Sequence, residues 1–210
     1  FKWDENLQEF LGYLLTFGIT IIFSVWILKR KGYMRPVLSF SLRQTTPMLI
    51  LWSLVLMVIT SVVTEPLVML FPEIGMDLLM DAVKPGMWSI VMLVIMAPIF
   101  EELLFRGIIQ EAVMREKGAG IAILVSAAIF GIIHMIPQQV VSAFFAGLIL
   151  GYIYYKTRSL VPVIILHAIN KALSYIIMNL GETASNITMR ELINNDTWYW
   201  IVYCFCLLIF

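Results

Sequence analysis

The chain has 210 residues, 61% of them hydrophobic and only 13% charged, with a mean hydropathy of +0.92. Its 14 Lys and Arg balance 14 Asp and Glu, so the net charge of zero provides no electrostatic footprint for nucleic acid. Soluble domains are closer to half apolar and a quarter charged, so this composition excludes an ordinary water-soluble enzyme and implies a polytopic membrane protein.

A span needs about 20 mostly apolar residues and must satisfy its backbone internally, so each candidate is predicted to be a helix. In chain order the candidates cover roughly 10–28, 48–71, 88–109, 119–136, 139–155, 160–179 and 198–210. The predicted fold is therefore all-α: one transmembrane helical bundle over 1–210, of about seven spans. The first apolar stretch lacks the small-residue cleavage site of a signal peptide. The chain opens on Phe1 and stops inside an apolar run, so both ends are expected to be incomplete.

The connections alternate in charge. Lys29, Arg30, Lys31, Arg35 and Arg43 lie between the first two spans, Arg115 and Lys117 after the third, and Lys156 and Arg158 after the fifth. The intervening loops carry Glu73, Asp77 and Asp81, then Gln138 and Gln139, then Glu182 and Asp196. The positive-inside rule then places the basic loops in the cytoplasm and the first residues outside. Asn186-Ile187-Thr188 and Asn195-Asp196-Thr197 match the glycosylation pattern but are read as ordinary loop residues. Cys204 and Cys206 suit neither a disulfide nor a zinc site and are read as small membrane hydrophobes.

Ionisable side chains inside spans are costly and mark function by default. The third span contains Glu101 and Glu102 followed by Arg106, in EELLFRG. Both histidines of the chain, His134 and His167, fall late in other apolar runs, FGIIHM and VIILHAIN. Glu102 and Arg106 share a helix face four residues apart, acid first, the better order for an intrahelical pair. Glu101 points about 100° away, near Ala97, Pro98, Phe105 and Ile108, so the two carboxylates are not expected to face the same partner. Without a built-in counter-ion, Glu101 is the candidate general base.

Glu101 lies about as far before the turn at Lys117-Gly118 as His134 lies after it, which predicts similar depth in an antiparallel pair. His167 is expected a turn or two shallower, with Asn170 on its face. Ser126, Ser142, Ser174 and Thr60 are assigned to packing. Glu65, before Pro66, is read as a helix-end or packing feature near the outer face, and Phe130 as a packing partner of His134.

A glutamate with two imidazoles suits activation of a water. Glu101 would take the proton with help from His134, while His167 and Asn170 would donate to a developing oxyanion. The alternative is a zinc site of Glu101, His134 and His167. No HExxH is present, and no serine or cysteine motif supports an acyl-enzyme.

EELLFRG, FGIIH and HAIN, in this order and in spans, resemble the EExxxR, FxxxH and HxxxN motifs of the CPBP intramembrane proteases. These are the CAAX-processing and bacteriocin-processing enzymes, also called the Abi or type II CAAX prenyl endopeptidase family. The resemblance covers roughly 88–179, the expected catalytic core. It implies a helical bundle with an intramembrane catalytic cavity open to the cytosol, in a bacterial cell membrane. It also implies peptide-bond hydrolysis, with Glu101 as base, His134 assisting, and His167 and the motif asparagine forming an oxyanion pocket. The implied partners are a peptide or protein substrate, membrane-bound or lipidated substrates among them, and the bilayer. In the family the asparagine follows the histidine by four residues. Here that position is Lys171, and Asn170 lies one earlier, so either a local bulge or kink brings Asn170 into place, or Lys171 serves as the donor, or activity is altered. Two readings compete with a protease: a non-catalytic scaffold or immunity protein of the same fold, and a proton-coupled transporter, which predicts internal repeats that the sequence lacks.

Overall fold

Apolar runs without backbone partners in lipid can only close their hydrogen bonds as helices, and a computed structural model of the chain is built this way. It describes residues 5–30, 39–71, 86–179 and 189–209. The helices are α1 (Glu5–Arg30), α2 (Pro47–Val68), α3 (Met87–Lys117), α4 (Ala119–Ile132), α5 (Pro137–Thr157), α6 (Leu160–Asn179), α7 (Met189–Ile193) and α8 (Asp196–Ile209), with no strand among the described residues.

Five of these, α1, α2, α3, α5 and α6, are long and apolar enough to cross a membrane, while α4 and α8 are apolar but shorter. The chain is an integral membrane protein. The seven expected spans thus appear as seven apolar helices, with three boundaries moved. The second ends at Val68, the third continues to Lys117, and the fourth stops at Ile132. Lys31, Arg35, Glu73, Asp77, Asp81, Glu182 and the Asn186–Thr188 sequence lie outside the described residues.

Local chemistry sets the helix ends. The Thr46 hydroxyl accepts from the Leu49 amide at 3.1 Å, and Pro47 fills the first position of α2, where its missing N–H costs nothing. Gly118 joins α3 to α4 at φ 84°, a backbone region that side chains disfavour. Pro137 opens α5, so Ile136 before it is extended, which ends α4 early.

The bundle is organised around α3 and α5, which run parallel. Arg106 Nη2 donates to the Gly147 carbonyl at 3.2 Å, and Gln110 Nε2 to the Gly151 carbonyl at 2.8 Å, the same register of 41 residues each time. One apolar cluster joins α2, α5 and α6 through Met57, Leu150, Ile153, Val163 and Leu166. A second, Phe105, Phe130 and Ala143, ties α3, α4 and α5 beside the polar groups. Glu65 accepts from the Met189 amide at 2.6 Å and the Tyr199 hydroxyl at 3.4 Å. It therefore fastens α7 and α8 to α2 rather than serving a helix end alone.

Candidate active site

The glutamate pair occupies the short α-helical stretch Ala97–Glu102, between two π-helical stretches of α3, Val91–Met96 and Leu103–Gln110. Pro98 has no N–H to continue the α ladder and its ring crowds the preceding turn, which accounts for the widening before it. Such insertions recur at functional positions in helices.

Glu102 and Arg106 are completely buried, and Arg106 Nη1 donates to Glu102 Oε1 at 2.7 Å, the intrahelical pair expected from their spacing. The same Oε1 lies 2.8 Å from His167 Nδ1. The other nitrogen of that ring, Nε2, lies 3.6 Å from Glu101 Oε2. The expectation that the two carboxylates face different partners is therefore corrected. Their side chains do diverge, but an imidazole carries nitrogens on two edges, and His167 fills the space between them. Glu101 Oε1 accepts from the Tyr13 hydroxyl at 3.3 Å, whereas its Oε2 has no hydrogen-bond partner among the described residues.

His167, expected a turn or two shallower than the glutamates, reaches both of them from α6. The expectation assumed regular helices, whereas α3 is π-helical over Leu103–Gln110.

His134 lies not in a span helix but in the turn after α4. Its Nδ1 is 2.8 Å from the Phe130 carbonyl, one of the orphan acceptors at the helix end. A carbonyl only accepts, so Nδ1 carries the proton and the neutral ring presents Nε2 as an acceptor. The same logic applies to His167, whose Nδ1 faces a carboxylate; its Nε2 donates only when both nitrogens are protonated.

Phe130 organises these groups as a packing residue. Its ring meets His134 edge-on at 5.0 Å, His167 at 5.6 Å and Phe105 at 5.2 Å, with the Arg106 guanidinium over it at 4.6 Å. The serines and threonine assigned to packing behave accordingly. Ser126 donates to the Phe105 carbonyl at 3.0 Å, and Thr60, Ser142 and Ser174 each bond a carbonyl four residues back.

A cavity of about 440 Å³ opens beside this constellation, with His134, His167, Asn170 and Lys171 on its wall. Glu101 is not on that wall but lies directly behind His167. α6 is regularly helical past both Asn170 and Lys171, so no bulge is needed to bring either to the cavity.

The zinc alternative does not fit. Among the described residues no three His, Cys, Asp or Glu side chains converge in a way that could hold a metal ion, and Glu101, His134 and His167 are not such a set. Two polar features went unread in the sequence. Gln110 continues the four-residue stripe of Glu102 and Arg106, a signal that was there to find. Tyr13 on α1 carried none beyond a hydroxyl in an apolar helix that would need a partner.

Residues 83–173 match the family model described as type II CAAX prenyl endopeptidase Rce1-like. That segment, somewhat less than half of the chain, is similar to this family. The matched segment holds Glu101, Glu102, Arg106, His134, His167, Asn170 and Lys171, and leaves out Tyr13. No curated protein and no solved structure matches the chain. The match supports an activity of the protease or hydrolase kind.

Proposed function

We propose that this protein is an intramembrane endopeptidase that hydrolyses a peptide bond with a water activated by Glu101. The observation that carries the reading is His167, set between Glu101 and Glu102 on the wall of a cavity that also receives His134. Glu101 Oε2, which has no hydrogen bond among the described residues, removes the proton from a water admitted past His167 from the cavity. His134 Nε2, an acceptor because Nδ1–H is held by the Phe130 carbonyl, orients the same water. The oxygen adds to the peptide carbonyl, and the oxyanion is met by Asn170 Nδ2 and Lys171 Nζ, joined by His167 when both its nitrogens are protonated. Glu101 then passes its proton to the leaving amine, which separates from the new carboxyl group. Glu102 and Arg106 hold His167 in place. The substrate is a peptide that is itself membrane-bound or lipidated, and the basic ends of α3 and α5 face the cytoplasm.

The test is peptide cleavage by the purified protein in reconstituted bilayers, with a CAAX-type peptide as probe. Glu101→Gln and His134→Ala should each lower the rate at least about a hundredfold, the usual scale for general acid–base groups. A Glu101→Gln variant that cleaves at the wild-type rate would overturn the reading. Exhaustive chelation should leave the rate unchanged; activity that vanishes with one bound zinc per chain, and returns with it, would overturn the metal-free mechanism.

A further inference from the structure

We infer that Tyr13 is a positioning residue for Glu101, so that α1, which lies outside the family-matched segment, completes the active site; the inference rests on the base role proposed above. Nothing of α1's apolar span is buried inside the protein. Among the described residues its contacts run along the face of α3. There Phe10 meets Trp88 at 5.3 Å, and Tyr13 and Phe17, stacked at 4.4 Å, both lie against Phe100. From this seam the Tyr13 hydroxyl reaches past Phe100 to Glu101 Oε1 at 3.3 Å.

The consequence lies in which oxygen is left over. Glu101 is buried, and a carboxylate there can turn about its terminal bonds and present either oxygen. A hydroxyl on Oε1 removes that freedom and leaves Oε2 on the side of His167 Nε2, the side on which the cavity lies. The neighbouring Glu102 is held by Arg106 of its own helix and by His167 of α6, so within the pair only Glu101 takes a hydrogen bond from α1. Tyr13 does not reach the reacting atoms; it acts through Glu101.

Tyr13→Phe keeps the ring and its stack and removes only the hydroxyl. In reconstituted bilayers it should lower kcat about ten- to a hundredfold, the value of a hydrogen bond to a charged group, with KM unchanged. Phe17→Leu, which loosens the same seam without touching Glu101, should leave kcat within about twofold. The infrared carboxylate band that disappears in Glu101→Gln should shift in Tyr13→Phe. An unshifted band, or a wild-type kcat in Tyr13→Phe while Glu101→Gln is inactive, overturns the role of Tyr13 and leaves the base role of Glu101 standing. Equal losses in Tyr13→Phe and Phe17→Leu reduce Tyr13 to packing and also overturn it. An active Glu101→Gln overturns both readings together.

Discussion

Adjacent glutamates in one helix have been given opposite surroundings, and the difference predicts opposite failures. Glu102 is held through one oxygen, Oε1, by both Arg106 and His167, and all three are buried. Arg106→Met would leave that carboxylate with His167 alone, and stranding one member of a buried pair costs about 3–5 kcal/mol. Arg106→Met should therefore unfold at distinctly lower temperature in detergent. Glu101→Gln should unfold close to wild type, because among the described residues Oε2 has no hydrogen bond to lose, only the longer approach to His167, and the amide still accepts from Tyr13 through its oxygen. A Glu101→Gln protein as unstable as Arg106→Met would contradict this division. The Glu102–Arg106 pair was legible because it follows from helix spacing alone. The reach of His167 to both carboxylates was not, since spacing describes one helix and His167 arrives from another.

Helix contacts within the bundle depend on small residues where polar side chains cross. Gly147 and Gly151 are four apart on α5, a spacing that lets membrane helices approach closely. A Cβ at Gly147 would stand 3.1 Å from both Cα and Cβ of Ala127 on α4, atoms that cannot move without the helix. At Gly151 it would instead meet Gln110 Oε1 at 2.9 Å, the far end of a flexible side chain. Gly147→Ala should thus cost about 1–3 kcal/mol, the range for overpacking. Gly151→Ala should cost less, while releasing the Gln110 amide from the Gly151 carbonyl. Gly18→Ala, with nothing within 4 Å, should be neutral or gain up to about 1 kcal/mol of helix propensity. Thermal unfolding in detergent should rank the three in that order, and Gly147→Ala melting above Gly151→Ala would show the α4–α5 contact to be looser than described. The helices themselves were readable from hydropathy. The π-helical stretches of α3 and the early end of α4 were not, because they turn on Pro98 and Pro137 and on packing between helices.

At the level of the whole molecule, the basic residues that can be located gather at one end of the bundle. Parallel α3 and α5 bring Arg115 and Lys117 to the same end as Lys156 and Arg158, and Arg158 Nη2 reaches Glu111 Oε1 at 2.9 Å. The segment before α2 joins them, since Ser159 donates to the Ser41 carbonyl at 2.7 Å and the Leu160 amide to the Ser39 carbonyl at 2.8 Å. Arg43 therefore lies two residues from this end as well. Such a clustering was anticipated from loop charges alone, and the positive-inside rule turns it into an orientation. A chain with Cys204→Ala and Cys206→Ala offers the test. A single cysteine introduced as Lys117→Cys, exposed in the turn between α3 and α4, should react with a membrane-impermeant thiol reagent only from the cytoplasmic face. A cysteine at Gln138, at the start of α5, should react only from the opposite face. The same pattern with the faces exchanged would invert the protein and place the substrate on the other side of the membrane. Labelling of both sites from one face would be incompatible with α5 as a span, and so with the parallel α3–α5 frame that carries Arg106, Gln110 and the glutamates.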